Sequence, residues 1–312
     1  MRARVFIEPQ MGATYEQQLA MARGAESAGF DAFFRSDHYL HFFTNDPGPG
    51  PTDTMVTLGA LARETTTIRL GTLVAASTFR FPGPLAITVA QIDVMSGGRV
   101  ELGLGAAWNE AEHRAYAIPF PALGERFERL GEQLAILTGL WTTPLGERFE
   151  FTGRHYTIED SPGLPKPVQR PHPPIVVGGR GLRRTPALAA RYGQEYNLGF
   201  SSAEAAAAAF GRVRSACAEI GRDPSTLRYS VALTTACGAG DAEVRARCAR
   251  IGRTPEQLRT SGLVGTPAEV VARVAEYAAV GADTVYFQLL DLHDLDHVAL
   301  LGAEVVPAVT AR

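Results

Sequence analysis

Short apolar runs alternate with helical patterns along most of the chain. Residues 4–8 form an apolar run that stops at Pro9, and residues 15–28 then place small and apolar side chains on one helical face. The same alternation recurs and predicts eight strands, at residues 4–8, 31–34, 68–74, 99–104, 175–177, 195–200, 227–235 and 284–290. Because strands that alternate with helices indicate parallel βα units, and eight units close a barrel, we predict an α/β protein with one (β/α)8 TIM barrel over residues 1–312 rather than an open doubly wound sheet.

One segment interrupts this alternation. Residues 142–174 contain seven prolines and two strand-like runs, 149–151 and 155–158, on either side of Gly153-Arg154. Two such runs around a turn predict a β-hairpin. We therefore expect residues 142–174 to be an insertion between strands 4 and 5 that serves as a lid or binding loop at the rim of the barrel.

Composition excludes several classes of function. The chain is 46% hydrophobic and 20% charged, and its 30 Lys and Arg against 33 Asp and Glu leave a net charge of -3. This balance gives no basic patch for a nucleic acid or an anionic membrane. No apolar run approaches the roughly 20 residues of a membrane span, and no apolar leader follows the first residues, so we expect a cytoplasmic protein. The cysteines lack C-x-x-C spacing and are expected to be reduced thiols.

Candidate chemistry lies after the strands, because barrel enzymes build their active sites at the carboxyl ends of the strands. Asp37 and His38 follow the second strand. A carboxylate beside an imidazole can hold a polar ring and move a proton at neutral pH. The alternative is that Asp37 caps the next loop and His38 is a rim residue.

The fourth strand ends in Gly103-Leu104-Gly105 and is followed by Asn109. A dinucleotide fingerprint is excluded here because Trp108 occupies the position of the third glycine. The amide of Asn109 can both donate to and accept from the edge of a heterocycle, whereas its structural alternative is a helix N-cap.

The fifth strand ends in a glycine-rich turn, residues 178–181, before a predicted helix. Glycines let backbone N–H groups approach a phosphate, and the start of a helix adds a favourable dipole. A turn without a ligand is the alternative. The remaining histidines form no H-x-H on the first strand, which disfavours a metal-dependent hydrolase, and we expect no metal.

Four motifs in this order resemble the bacterial luciferase-like superfamily. They are Ser36-Asp37-His38, Leu70-Gly71-Thr72, residues 98–105 with Asn109-Glu110, and residues 173–179. Residues 108–113, 183–185 and 289–297 are in turn similar to the branch of actinobacterial oxidoreductases that use the deazaflavin coenzyme F420.

The resemblance implies a deazaflavin over the mouth of the barrel and a homodimer. By matching position, Asp37 would hydrogen-bond the ring, His38 would donate or accept the proton that accompanies hydride transfer, and Asn109 would contact the ring. The family also has a non-proline cis peptide behind the ring, which corresponds here to Leu73-Val74. The coenzyme's phosphate would be bound by Gly178, Gly179, Arg180, Gly181, Arg184 and Thr185.

Two departures bear on the substrate. The sugar-phosphate dehydrogenase branch has an acidic glutamate shortly before the asparagine, where this chain has Ala106 and Ala107, and no set of later lysines could hold a substrate phosphate. Glucose 6-phosphate is therefore disfavoured. We predict instead a pocket for a small organic substrate, although packing at the barrel rim is the alternative role for its aromatic residues. The residues predicted to line it are Phe42, Phe43, Phe79 and Trp108.

The sequence thus predicts a coenzyme F420-dependent oxidoreductase that transfers a hydride between the deazaflavin and a small-molecule substrate. One alternative is a two-component monooxygenase that uses reduced FMN and oxygen, since both cofactors have a tricyclic ring and a phosphate. An alternative of another class is a non-catalytic flavin-binding barrel, which the presence of Asp37, His38 and Asn109 disfavours.

Overall fold

The computed structural model of the chain describes residues 1–42 and 48–311. The strands within these ranges are β1 (Arg2–Ile7), β2 (Ala32–Arg35), β3 (Arg69–Thr72), β4 (Ala75–Ala76), β5 (Val100–Gly105), β6 (Phe149–Thr152), β7 (Thr157–Ser161), β8 (Ile175–Gly178), β9 (Glu195–Gly199), β10 (Arg228–Cys237), β11 (Gly262–Gly265) and β12 (Thr284–Leu289). The helices are α1 (Tyr15–Ser27), α2 (Thr54–Glu64), α3 (Pro82–Ser96), α4 (Glu110–Ala115), α5 (Leu123–Thr142), α6 (Arg184–Tyr192), α7 (Ala203–Glu219), α8 (Asp241–Arg250), α9 (Pro255–Leu258), α10 (Pro267–Ala279), α11 (Leu295–Leu300) and α12 (Val306–Thr310).

Eight parallel strands close into a barrel. They are hydrogen-bonded in the order β1, β2, β3, β5, β8, β9, β10 and β12, and β12 returns to β1. The helices surround this ring and pack their apolar faces against it, as the buried core that joins strands and helices shows. The predicted (β/α)8 barrel is confirmed. None of the described helices combines the length and the apolarity needed to cross a membrane.

The third barrel strand differs from the continuous run predicted over residues 68–74. Strand β3 ends at Thr72, the short β4 resumes at Ala75, and the peptide bond between Leu73 and Val74 is cis. The cis bond that the resemblance implied is therefore present. Strand β4 pairs with the end of β5, so the barrel continues past the interruption.

Strand β11 was not predicted. It pairs with the last four residues of β10, from Thr234 to Cys237, and of these Thr234 also pairs with β12 of the barrel ring. Its four residues begin and end with glycine, a composition that carries no strand pattern of its own. The long overhang of β10 supplies the hydrogen-bonding groups that order it.

The amino-terminal end of the barrel is filled by buried ion pairs. Arg4 of β1 lies inside the ring, with one terminal nitrogen 2.9 Å from Glu101 of β5 and 3.3 Å from Glu195 of β9. The same nitrogen donates to the hydroxyl of Tyr286 at 2.8 Å. Burial opposes the charge of Glu101, but the guanidinium groups of Arg4 and Arg69 hold its pKa at about 2. Buried ion pairs therefore fill the amino-terminal end of the barrel, and an active site is expected at the carboxyl end.

The insertion contains the predicted antiparallel hairpin, made of β6 and β7. The carboxylate of Glu132 on α5 accepts the backbone N–H groups of Arg154, His155 and Tyr156 at 2.7, 3.0 and 3.0 Å. These bonds hold the hairpin along α5, and its Tyr156 lines a cavity together with Phe79 and Arg80. The role of a lid stays a prediction.

Candidate active site

His38 lies at the carboxyl end of β2 and is held by a carboxylate from α4. Its Nδ1 is 3.0 and 3.1 Å from the two carboxylate oxygens of Glu112. Glu112 also accepts the backbone N–H of Tyr39 at 3.0 Å. The His38 side chain is 15% exposed and that of Glu112 is 2% exposed. The imidazole is therefore fixed from one edge by a buried charge while its other edge stays accessible.

The surroundings favour the charged form of His38. Burial opposes that charge, but the hydrogen bond that His38 donates to Glu112 and the negative charges of Glu8, Glu112 and Asp37 outweigh it and raise the pKa of His38 above its ordinary value. A histidine with a raised pKa binds a proton near neutral pH and can release it to a reacting group.

Asp37 is engaged in a different way from the one predicted. Its fully buried carboxylate pairs with the guanidinium of Arg80, at 2.5 Å. Arg80 in turn reaches Asp53 at 2.7 Å, and Asp53 caps the start of α2. Asp37 therefore anchors the loop after β4, and hydrogen bonding of its carboxylate to a cofactor ring stays a prediction.

Asn109 caps α4. Its side-chain oxygen accepts the N–H of Ala111 at 3.2 Å, which is the structural alternative that the sequence left open. The cap uses the oxygen and leaves the amide N–H groups for another acceptor. Its backbone carbonyl accepts from Nδ1 of the buried His113 at 2.7 Å, and Nε2 of His113 is 2.7 Å from the hydroxyl of Thr78.

The glycines of β5 and β8 make room for Val74 beside the cis bond. A Cβ atom at Gly105 would lie 2.9 Å from a methyl group of Val74, and one at Gly178 would lie 3.0 Å from the other. A Cβ at Gly103 would overlap the carbonyl oxygen of Thr72. Gly103 and Gly105 therefore make room for the interruption between β3 and β4.

The turn after β8 carries two arginines that are tethered to backbone carbonyls. Arg180 donates to the carbonyl oxygens of Gly199 and Phe200 at 2.8 and 2.7 Å, and Arg184 donates to that of Gly124 at 2.7 Å. Within residues 1–42 and 48–311 neither arginine pairs with a carboxylate. Their guanidinium groups are thus held in place without a direct ion pair, although the charge of Arg184 also acts on Glu128.

The same turn is tightly built. Gly179 has a φ of +140°, which favours glycine, and its carbonyl accepts from the Tyr196 hydroxyl at 2.9 Å. Thr185 is buried beneath Gly181 at the start of α6, where a Cβ on Gly181 would overlap the threonine hydroxyl. The six residues predicted to bind phosphate therefore lie along one segment, from the last residue of β8 to the start of α6.

The predicted aromatic pocket is only partly assembled. Phe42 and Trp108 both meet the His38 ring edge to face, with centroid distances of 4.8 and 5.5 Å. Phe79 instead stacks on Tyr39 at 4.6 Å and lines a neighbouring cavity of about 710 Å³. Phe43 lies outside the described residues.

A chain of polar groups that sequence reasoning missed lies beside His38. Glu8, directly after β1, accepts from Gln10 at 2.7 Å and from Gln288 of β12 at 3.0 Å. Ser36 donates to Gln10 at 2.8 Å and so connects this chain to β2. The sequence signal was the position of Glu8 at the end of a strand, whereas nothing local marked Glu112 or Arg80 as partners of the Asp37-His38 pair.

Comparison with known proteins identifies the family. A family model described as luciferase-like monooxygenase matches residues 1–255. The chain belongs to the luciferase-like monooxygenase family. Membership places it among oxidoreductases.

Relatives of this luciferase-like protein use two kinds of cofactor. An F420-dependent glucose-6-phosphate dehydrogenase of Microbacterium testaceum is 38% identical over 175 residues, 55% of this chain and 49% of the relative. The chain thus matches about half the length of that relative. An FMNH2-dependent dimethylsulfone monooxygenase of Pseudomonas putida is 26% identical over 267 residues, 73% of this chain and 72% of the relative.

The fold of the luciferase-like chain is shared with solved structures. An F420-dependent secondary alcohol dehydrogenase, in complex with an F420-acetone adduct, superposes with a TM-score of 0.85 at 18% identity and covers 99% of this chain and 98% of its own. A type II Baeyer-Villiger monooxygenase from Pseudomonas putida, in complex with FMN, gives a TM-score of 0.78 at 20% identity and covers 98% of both chains.

Proposed function

We propose that this luciferase-like protein is a coenzyme F420-dependent oxidoreductase that transfers a hydride between the deazaflavin and a small organic substrate. The observation that carries the proposal is the His38–Glu112 pair at the mouth of the barrel, with an accessible imidazole edge between Phe42 and Trp108. A buried carboxylate on one ring nitrogen leaves the other nitrogen to exchange a proton.

The residues at the mouth fit a phosphate-bearing deazaflavin. The guanidinium groups of Arg180 and Arg184, which form no direct ion pair among the described residues, suit its phosphate together with the glycine backbone between them. The free amide N–H groups of Asn109 suit a carbonyl oxygen of its ring. When bound, the deazaflavin supplies a ring carbon that gives or takes a hydride, and His38 manages the proton that the substrate gains or loses.

FMN is the second candidate cofactor, in a monooxygenase that also consumes oxygen. It is supported by the match to the dimethylsulfone monooxygenase, which extends over 73% of this chain. The deazaflavin is preferred because the relative that uses it is 38% identical over its matched region, against 26% for the monooxygenase. A barrel without catalysis is disfavoured, because Glu112 fixes the His38 ring through Nδ1 and no described residue bonds to Nε2.

The proposed substrate is apolar or aromatic rather than a sugar phosphate. The chain has a single lysine, Lys166, and its ammonium group donates to the carbonyl of Leu140, away from the mouth. The side chains next to His38 are instead aromatic. The cytoplasmic location and the homodimer stay predictions of the sequence.

Titration of the purified protein with F420 and with oxidised and reduced FMN tests the choice of cofactor. A ligand at 100 times its dissociation constant adds about 2.7 kcal/mol to stability, so thermal unfolding reports binding directly. We expect a clear upward shift with F420. A shift with FMN alone would overturn the first choice and favour the monooxygenase.

Replacement of His38 by alanine tests the proton role. We expect turnover to fall by about 100-fold while the dissociation constant of the cofactor changes little. The exposed His293 offers a matched control, and His293→Ala should leave both quantities unchanged. An equal loss of affinity and turnover in His38→Ala would make His38 a binding residue.

A further inference from the structure

Glu112 is a buried carboxylate that none of the sequence motifs explained. It is 1% exposed, and its hydrogen-bond partners are the imidazole of His38 and the N–H of Tyr39. Among the described residues no lysine or arginine pairs with it. Burial of a carboxylate without a cation costs free energy, so the charges of Glu112 and His38 are coupled.

The geometry also decides which ring nitrogen carries the hydrogen. A carboxylate only accepts, so Nδ1 of His38 must donate to Glu112 at 3.0 Å. No described residue bonds to Nε2, and the ring is flanked by the aromatic edges of Phe42 and Trp108. Nε2 is therefore the ring nitrogen that is left to exchange a proton.

Other charges around His38 come from three neighbouring elements. Glu8 follows β1 and receives hydrogen bonds from Gln10 and Gln288, which compensate no charge. Asp37 is on the same loop as His38, but its carboxylate is paired with Arg80 from the loop after β4. Glu112 comes from α4, as does His113, which bonds to Thr78 rather than to His38. Among the described residues neither Glu8 nor Glu112 forms an ion pair with a lysine or an arginine, although the charge of Glu8 also acts on the buried Arg35 of β2.

We propose that Glu112 is the positioning residue of this site, which fixes His38 with one proton on Nδ1 and retains a second proton on Nε2 for transfer. In that transfer the Nε2–H bond of the imidazolium breaks, the proton goes to the reacting group, and the ring becomes neutral with Nδ1–H still donated to Glu112. The use made of the proton rests on the proposed function, whereas the pairing of the two side chains does not.

Imidazole NMR on protein with nitrogen-15-labelled histidine tests the pairing without any activity assay. The His38 signals are assigned by their loss in His38→Asn. We expect Glu112→Gln to lower the pKa of His38 by at least about one unit, a tenfold weaker affinity for the proton, because the buried charge is removed while the side-chain shape is kept.

Glu110 provides the matched control on the same helix. It is exposed and pairs with Arg114 four residues on, so Glu110→Gln removes one carboxylate from α4 without touching His38. We expect it to leave the His38 titration unchanged. An unchanged titration in Glu112→Gln as well would overturn the inference.

A second variant keeps the test valid if glutamine at position 112 prevents folding. Glu112→Asp retains the charge but withdraws it by one methylene, and we expect the His38 pKa to lie between those of the wild type and Glu112→Gln. A His38 pKa below that of the wild type in Glu112→Asp would support the role, and one equal to the wild type with no hydrogen bond on Nδ1 would contradict it.

The pH profile of kcat/KM distinguishes a positioning role of Glu112 from a purely structural one. In Glu112→Gln we expect the limb that reports His38 to move to lower pH with the NMR pKa, while the dissociation constant of the cofactor stays within about twofold. If the NMR pKa moves but neither F420 nor FMN binds the wild type, the proposed function fails and the positioning role of Glu112 stands.

Discussion

Acid should destabilise this protein through one histidine far from the site. His297 on α11 is 5% exposed, and its Nε2 accepts the backbone N–H of Cys237 at 3.0 Å. Burial and the charge of Arg247 lower its pKa to about 4. Protonation of Nε2 would abolish the bond and place a second cation beside Arg247, so the folded protein holds His297 neutral.

The magnitude follows from the two pKa values. An unfolded histidine titrates near 6.5 and the native His297 near 4, a difference of about 2.5 units or roughly 3 kcal/mol. Because the native pKa is the lower one, this stability is fully present above about pH 6.5 and is lost as the pH falls towards 4. Carboxylates with lowered pKa values, such as Glu26 and Glu101, lose their contribution only below their unfolded values, near 4.

Urea unfolding followed by circular dichroism at pH values from about 7 to 5 measures the effect. His297→Gln keeps an oxygen that can accept the Cys237 N–H but cannot bind a proton. Between about pH 6.5 and 5, the unfolding free energy of the wild type should fall by about 2 kcal/mol more than that of the variant. The exposed His293→Gln should follow the wild type. Parallel curves for the wild type and His297→Gln would refute the reasoning.

Three further predictions test the barrel and the anion site. Glu101→Gln should cost about 3–5 kcal/mol in urea unfolding, because buried guanidinium groups lose their carboxylate, and a loss under about 1 kcal/mol would contradict the ion-pair account. Gly103→Ala should lower the free energy of unfolding by about 1–3 kcal/mol through overlap with the β3 backbone. Gly83→Ala, which has open space at its Cβ, should leave stability unchanged or raise it, and thermal unfolding of both variants measures the difference. Arg180→Gln with Arg184→Gln should weaken F420 binding by about tenfold or more in fluorescence titration but leave the deazaflavin ring without its phosphate unaffected, and equal losses for both ligands would contradict a phosphate site.

The barrel strands could be predicted because their signal is local. Each is a short apolar run next to an amphipathic helix, and the parallel ring needs no more information than that alternation. The exceptions are segments whose conformation is set by contacts with residues distant in sequence. The interruption at Leu73-Val74 is accommodated by glycines on two other strands, and β11 is ordered by the overhang of β10.

The site was predictable only as far as it lies at strand ends. His38, Asn109 and the glycine-rich turn follow strands and carry distinctive side chains. The partners that set their chemistry are distant in sequence: Glu112 is 74 residues from His38, and Arg80 is 43 residues from Asp37. Neither pairing has a spacing that a sequence pattern could reveal, because the closure of the barrel brings them together.

The short helix α4 is ordered by contacts that include residues of the candidate site. A six-residue helix is not stable alone, so its contacts with the barrel must form it. Those contacts are the Asn109 cap, the bond of Glu112 to His38 and the bond of His113 to Thr78. The outward face offers only the exposed Glu110–Arg114 pair, worth about 0.3–0.5 kcal/mol. The inward face that orders α4 therefore includes the same carboxylate that orients His38. A loss of activity in a Glu112 variant can come either from proton transfer or from disorder of α4. Comparison with the Glu110→Gln variant distinguishes these two causes.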